Sequence, residues 1–422
     1  MTPQAALIAV GTELLRYGRP DGNGCELSRM LEAEGIATHL RIVAPDDIAP
    51  IARAVQWTLG SCSLVVVTGG IGPTLDDLSR DAIASALGVP LVRDADEEAR
   101  LSAREERRGR TLTSLAARQA DLPEGSEPLP NPIGTARGFL FHRADDRIVI
   151  ALPGVPAEMR RMMREEALPR IAALAARPGW SGVRRDPSLV TRCLKSSGLT
   201  EAEVQERLAP LFAPPADAGP AIDLTILSAA GEITFLARGE PDRVAGLMTG
   251  ARSRLGAHVF TEDPDEHLER VVGRLLDARG RTVAAAESCT GGLLMALVTS
   301  VPGASRWFDC GWVTYADASK ESLLGVPAEA LREQGAVSEP VVLAMARAAR
   351  RLAGAAYGLS ITGIAGPDGG SASKPVGLVW LGLAWDGGER AVRLQLSGDR
   401  ETIRMIAARA ALDLLRRKLL ET

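Results

Sequence analysis

The sequence predicts an α/β fold: two three-layer α/β domains with mainly parallel sheets, joined by a small α+β module. Three observations carry that expectation. Over roughly the first 170 residues, short apolar runs alternate with segments of helical period; from about 173 to 262 the alternation breaks; from about 263 it resumes. With 422 residues the chain is too long for one ordinary domain, so the expected domains are 1–172, 173–262 and 263–422.

The elements follow in order. "AALIAVG" (5–11) is an apolar run ending in glycine, as a buried strand does. "NGCELSRMLEAEG" (23–35) is an amphipathic helix with Leu27, Met30 and Leu31 on one side, Asn23 as its cap and Gly35 as its stop. "IATHLRIV" is the next strand, "DIAPIARAVQWTL" the next helix and "SLVVVT" a third strand, with a helix expected over 77–87. Such β-α-β-α-β order implies a parallel sheet covered on both faces, with ligands bound beyond the carboxyl ends of its strands. In the middle stretch "ARPGWSGVRRDP" is loop-like and "APPADAGP" linker-like. Thr200 opens a helix in "GLTEAEVQERLAPLF" with Glu203 at the capping-box position, and "LTILSAAGEITFLARG" is a hairpin. No chemistry is expected from this module. The rest reads as a helix (265–278), strand "RTVAAAE", helix "GLLMALVTS", strand "GWVTY" and a helix around 320. A longer helix from Ser338, strands "YGLSIT", "VGLVWLGLAW" and "AVRLQL", and a final helix from Asp399 complete it.

Composition narrows the function classes. Apolar residues at 46% and charged residues at 24% are the mix of a soluble globular protein. Every apolar run is interrupted before it reaches the length of a membrane span. "MTPQAALIAVGTELL" has no basic segment ahead of its apolar run, so neither membrane insertion nor export is expected. The five cysteines (Cys25, Cys62, Cys193, Cys289, Cys310) form no C-x-x-C pair, which fits a reduced cytoplasm rather than a disulfide framework or zinc knuckle. A net charge of −4 offers no electrostatic support for nucleic-acid binding. Lysine is scarce, confined to Lys195, Lys320, Lys374 and Lys418 among many arginines. A lysine can give up its proton and an arginine cannot, so each is inspected as a base.

In "VVVTGGIGPTLDDLSRDAIA" (65–84) the glycines after Thr68 let backbone N–H groups approach a ligand, and the following helix offers its positive end. Asp76 and Asp77 would repel a bare phosphate yet suit a divalent cation bridging phosphate oxygens. The plainer alternative is a tight turn with an aspartate cap. Three more loops stand at strand ends: "GTELL" (11–15) with Glu13, then Asp21 and Asn23; "NPIGTARGF" (131–139); and "LPGVPAEM" (152–159).

In this order these motifs resemble the CinA family (competence/damage-inducible protein A), whose N-terminal domain is molybdopterin-binding-like. The resemblance implies a metal-dependent ADP-ribose pyrophosphatase yielding AMP and ribose 5-phosphate, with Mg, Co or Mn as the divalent metal. Position by position it assigns Thr68, Gly69, Gly70, Gly72, Asn23, Asn131 and Gly134 to nucleotide binding, and Glu13, Asp76 and Asp77 to the metal. Where the family usually reads D-T-N-S, this chain has Asp21-Gly22-Asn23-Gly24, without the two hydroxyls.

"AAAESCTGGLL" (284–294) sets a serine and a cysteine between a buried strand and a helix, and either Ser288 or Cys289 is a candidate nucleophile. The backbone N–H groups of Cys289 to Gly292 stand where they would stabilise an oxyanion. No histidine follows His267, so the base must be a lysine: Lys320 in "VTYADASK", five residues after Tyr315, or Lys374 in "GGSASKPVG". Taken singly, Ser288 reads more plainly as a helix cap, Cys289 as a small buried hydrophobe and Lys320 as a solvated helix residue. Jointly, "AESCTGG", "PGASRWF", "VTYADASK", "GAVS", "TGIAGPDGG" and "KPVG" resemble the nicotinamide mononucleotide deamidase domain that ends CinA-family proteins. That resemblance implies a Ser–Lys amidohydrolase, with Ser288 as nucleophile, Lys320 as base and Tyr315 assisting. It places Cys289, Thr290, Gly291, Gly292, Thr362, Gly363 and Gly366 in the substrate loops, with Arg400 or Arg404 on the phosphate. It implies a homodimer and no cofactor for this step. Asp317 stands where the family commonly has Asn, and Cys310 where it has Gly; a carboxylate close to Lys320 would raise that lysine's pKa. Two other classes stay open: a regulatory protein that binds nucleotides without turnover, and a molybdopterin-type binding protein.

Overall fold

The computed structural model describes residues 4–183, 189–212 and 222–421. The linker-like stretch expected at 213–220, and residues 184–187 of the loop-like stretch, lie outside the described residues. The chain divides into two compact units, 1–190 and 191–422, so most of the expected middle module shares a unit with the C-terminal domain. Among the described residues no helix is long and apolar enough to cross a membrane.

The first unit opens with β1 (Gln4–Val10), α1 (Thr12–Arg16), α2 (Gly22–Ala33), β2 (Ala37–Ala44), α3 (Ile48–Ser61), β3 (Leu64–Thr68) and α4 (Ser79–Leu87). It continues with β4 (Leu91–Arg93), α5 (Ala95–Glu106), α6 (Ser114–Ala117), β5 (Asp121–Pro123), β6 (Glu127–Leu129), β7 (Gly138–His142), β8 (Ile148–Leu152), α7 (Pro156–Met162) and α8 (Leu168–Ala175). The main sheet runs β2-β1-β3-β8-β7-β6. Its first three pairings are parallel, while β7 joins β8 and β6 antiparallel. Strand alternation builds the three layers. Leu64 and Val66 of β3 face a core with Leu27, Leu31, Met159 and Ile171, while Val65 and Val67 face Ile51, Val55, Leu59 and Ile83. Two expected caps are corrected. Asp21, not Asn23, caps α2 by accepting from Gly24 N at 2.7 Å. α4 begins at Ser79 behind Leu78, so Asp77 does not cap it.

The second unit begins with β9 (Val190–Ser197), α9 (Glu201–Phe212), β10 (Asp223–Ala229), β11 (Glu232–Gly239), α10 (Pro241–Leu255) and β12 (Val259–Thr261), forming a sheet in the order β10-β11-β9-β12. The capping box and hairpin form as expected: Thr200 N donates to Glu203 Oε2 at 2.7 Å, Glu203 N returns to Thr200 Oγ1 at 3.2 Å, and β10 pairs antiparallel with β11. Then come α11 (Leu268–Ala278), β13 (Val283–Glu287), α12 (Leu293–Thr299), β14 (Phe308–Val313), α13 (Asp317–Leu324), α14 (Ala328–Gln334) and α15 (Glu339–Ala353). β15 (Tyr357–Gly363), β16 (Leu378–Trp385), β17 (Gly388–Gln395) and α16 (Arg400–Leu420) close the chain. This sheet runs β14-β13-β15-β16-β17. β13 pairs parallel with β14 and β15, and the strands beyond β15 are antiparallel. Ala285 faces a core with Leu276, Leu294 and Leu412, whereas Ala284 and Ala286 face Val341, Met345 and Ala349 of α15. β14 ends at Val313, leaving Thr314 and Tyr315 in a loop beyond the sheet rather than in the expected strand.

Candidate functional site

In the second unit β13 lies between two parallel neighbours, so the chain leaves the carboxyl ends of β13, β14 and β15 at one edge. This is where an open α/β sheet gathers ligands. Backbone bonds draw the three loops together: Thr314 N donates to Glu287 O at 2.8 Å, and Ser288 N to Ile361 O at 2.9 Å. The segments "SCTGG", "TYADASK" and "TGIAGP" thereby share one site.

The turn after β13 is shaped by a residue that motif reading passed over. Glu287 is fully buried, and its carboxylate accepts from Gly292 N at 2.9 Å, Leu294 N at 3.2 Å and Met295 N at 2.8 Å. An anion there complements the positive end of α12. Gly291 (φ 60°) and Gly292 (φ 97°) supply the left-handed backbone that the turn needs. The expected row of oxyanion donors is corrected accordingly. The Gly292 amide is taken by Glu287 and the Gly291 amide by Ser288 O at 3.1 Å. Of this turn, Cys289 and Thr290 keep amides with no carbonyl or carboxylate acceptor among the described residues. Ser288 precedes the first residue of α12 by five positions and does not cap it.

Lys320 is not a solvated helix residue: only 1% of its surface is exposed. Its Nζ donates to Thr314 O at 2.9 Å and Tyr315 O at 3.1 Å, with Asp317 Oδ1 at 3.6 Å. Burial pushes this amine below the usual lysine range, against the opposite pull of Asp317 and then of Cys289. The two carbonyls take two of its N–H bonds, so deprotonation at the third would leave a lone pair to receive a proton. Ser288 is buried, and its backbone N–H is spent on the Ile361 carbonyl. Cys289 is a poor alternative, since burial pushes its thiol up to about 12. Lys374 donates to the Gln334 carbonyl and takes no partner from these loops.

Two arginines on the first turns of α16 brace the rim. Arg400 donates to Gly366 O at 2.6 Å and to the Tyr315 hydroxyl at 3.0 Å, and Arg404 donates to Thr290 O at 2.6 and 3.2 Å. Tyr315 is exposed and joins the rim rather than the Lys320 amine, which meets only its carbonyl. Thr362 is buried and donates to Ala336 O at 2.9 Å, tying "GAVS" to the sheet. A Cβ on Gly363 would lie 2.7 Å from a Val379 methyl, so that glycine serves close strand packing. Thr290 and Thr314 each keep a buried hydroxyl without a partner among the described residues.

In the first unit a cleft of about 460 Å³ gathers Glu13, Asn23, Asp46, Thr68, Gly69, Gly70, Asp76 and Asp77 beyond β1 and β3. Asn23 spans it, donating to Thr68 Oγ1 at 3.2 Å and Gly154 O at 2.8 Å. Gly69 is held at φ 97° with Val10 O 2.4 Å from where a Cβ would sit, so no side chain fits. Asp46 was missed because it follows a strand without a glycine turn to mark it. Gly72, Asn131 and Gly134 do not line this cleft. Asn131 is spent inside its own loop, accepting from Gly134 N at 2.8 Å and donating to Ala136 O at 2.9 Å and Glu158 Oε2 at 2.6 Å. The expected metal set is likewise not assembled. Asp77 is occupied by Thr74 N at 2.7 Å, Asp76 is exposed with its carboxyl held low by Thr74, and among the described residues no three His, Cys, Asp or Glu side chains converge as metal ligands.

Residues 265–419 match the family model described as CinA C-terminal domain, and residues 6–173 the one described as probable molybdopterin binding domain. A putative competence-damage inducible protein of Symbiobacterium thermophilum is 40% identical over 99% of this chain and 99% of its own. A CinA-like protein of Anaeromyxobacter sp. (strain Fw109-5) is 41% identical over 97% and 98%. Among solved structures, a CinA superfamily protein from Klebsiella pneumoniae is 38% identical over 37% of this chain and 97% of its own, with a TM-score of 0.36.

Proposed function

Since this chain belongs to the CinA family, we propose that its C-terminal domain is an amidohydrolase converting nicotinamide mononucleotide to nicotinate mononucleotide and ammonia. The observation that carries this reading is Lys320, a buried amine with its pKa lowered, held by the carbonyls of Thr314 and Tyr315 in the loop whose Thr314 N–H bonds the carbonyl of Glu287, the residue before Ser288. Ser288 Oγ attacks the carboxamide carbon while Lys320 takes the hydroxyl proton. The amides of Cys289 and Thr290 face the oxyanion. Lys320 then gives the proton to the departing nitrogen, which leaves as ammonia, and an ester on Ser288 remains. Water attacks that ester and gives its proton to Lys320; Lys320 returns it to Ser288 Oγ as the ester C–O bond breaks, releasing nicotinate mononucleotide and restoring both residues. Arg400 keeps its Nε for the nucleotide phosphate, while Arg404 is committed to holding the Thr290 carbonyl.

The direct test is ammonia release from nicotinamide mononucleotide by purified protein. Wild type and Cys289→Ala release it and Ser288→Ala does not; no release by wild type ends the proposal. Saturable binding of the nucleotide without ammonia would instead favour a non-catalytic regulatory protein.

Asp317 offers a second prediction. Its carboxylate favours the charged form of Lys320, so Asp317→Asn lowers the lysine pKa further. The limb of the kcat/KM profile that rises with pH should move to lower pH in that variant. An unmoved limb would separate Lys320 from the titration that controls rate.

For the N-terminal domain we propose a nucleotide-phosphate site at the Gly69–Gly70 turn, ADP-ribose being the ligand implied by the family. Among the described residues the carboxylates do not form a metal cage there. AMP formation from ADP-ribose, with and without added divalent metal, tests it. Molybdopterin-type binding rests on the likeness of residues 6–173 alone and accounts for nothing around Lys320.

A further inference from the structure

We propose that the module over residues 191–262 is a positioning element for the C-terminal site, acting through α16; this rests on the amidohydrolase reading of that site. The first turns of α16 carry Arg400 and Arg404, which hold the Gly366 and Thr290 loops. Its remaining length is gripped by three turns of the module, each time through backbone carbonyls. At the tip of the β10–β11 hairpin Ala230 O accepts from Arg409 Nη1 at 2.7 Å. A Cβ on the neighbouring Gly231 would lie 3.1 Å from Arg409 Cβ and 3.4 Å from Ile406 Cα, so the tip rests directly on the helix. Arg416 is 2% exposed, donates to Ala257 O at 2.5 Å and Val259 O at 3.3 Å, and is itself held by Asp413 Oδ1 at 2.8 Å. Arg417 reaches Ser197 O at 3.4 Å.

These contacts are directional. A guanidinium buried against a particular carbonyl loses its partner if the helix slides, whereas an apolar contact tolerates small shifts. Arg404 and Arg409 are five residues apart, about 7.5 Å of continuous helix. A displacement at the hairpin tip is therefore delivered to the Thr290 carbonyl, and with it to the amides that face the oxyanion. The module thereby sets the turn that presents Ser288, although it contributes no group to the reaction.

The test uses the full chain with Gly231→Ala, Arg409→Met, the double variant and Arg409→Lys. Two readouts are taken: kcat and KM for ammonia release, and amide hydrogen exchange over residues 289–294. We expect each single variant to lose roughly tenfold in kcat, since small misplacements near reacting atoms are costly, with KM changing much less. The double variant should be no worse than the worse single one, because both act through one contact. Arg409→Lys, which still reaches Ala230 O, should restore most of the rate, and exchange at 289–294 should quicken wherever kcat falls. Unchanged kcat and exchange in folded variants, or losses that simply add, would overturn the proposal. If wild type releases no ammonia the amidohydrolase reading fails, and exchange at 289–294 still decides whether the hairpin tip positions that turn.

Discussion

Lys320→Met is expected to lower kcat for carboxamide hydrolysis by about 10²–10⁴-fold, the scale on which a general base contributes. Methionine is chosen because the site is sealed. It fills nearly the same volume as the lysine stem and leaves no cavity, so a rate loss reports lost proton transfer. The stability change should be small. Burial holds the folded-state pKa of Lys320 below its ordinary value of 10.5, so the unfolded chain binds that proton more readily. The resulting cost to folding is fully present below the depressed value and is relieved as pH rises past it toward 10.5. Methionine removes that cost but leaves the Thr314 and Tyr315 carbonyls without their donor, so the two effects oppose each other and Lys320→Met should melt close to wild type at neutral pH while being nearly inactive. A variant both inactive and much less stable would point to a structural lysine.

Glu287→Ala should have the largest effect on stability. One buried carboxylate serves three amides of the turn and of α12. Hydrogen bonds to charged groups contribute about 1.5–3 kcal/mol each and are costly to leave unmade, so a loss on the order of 4 kcal/mol in the C-terminal unit is expected. Glu287→Gln should recover only part of it, because its amide nitrogen is a donor set against donors. Since the chain has two units, the measurement is local: hydrogen exchange of residues 288–295 should quicken strongly while the N-terminal unit keeps its protection. Unaltered protection there would show that α12 does not depend on Glu287. Activity should fall too, because the released Gly292 amide no longer pins the turn that carries Ser288.

These two residues also show what was legible in the sequence. Lys320 was singled out because lysine is scarce and histidine absent downstream, both visible in the letters. Its burial was not visible, because "ADASKESLL" has the composition of a surface helix and only packing against α15 and the end of β14 seals it. Glu287 was quoted within "AESCTGG" and passed over, since a charged residue ending an apolar strand reads as its exposed end. Its caps lie five to eight residues ahead, a spacing set by two left-handed glycines that local periodicity does not report. In the N-terminal unit the strand ends carrying Glu13, Thr68 and Asp76 were read from apolar runs and glycines, and they do share a cleft. Asn131 was grouped with them because "NPIGTARGF" is also a glycine turn at a strand end. Yet the antiparallel β6–β7 portion follows a different path, and the asparagine closes its own loop. The order of apolar strands and helical segments in the N-terminal stretch foretold a parallel sheet covered on both faces. It did not foretell where polar side chains would find partners, because such partners come from distant segments.

The central step is acylation of Ser288 with help from a buried lysine, and the most direct measurement is the mass of the peptide containing residue 288 after rapid quench of enzyme with nicotinamide mononucleotide. A nicotinate mononucleotide ester on Ser288 is expected that forms as ammonia appears, fails to form in Ser288→Ala, and is strongly reduced in Lys320→Met. An adduct carried by Cys289, or ammonia release undiminished in Ser288→Ala, would contradict it.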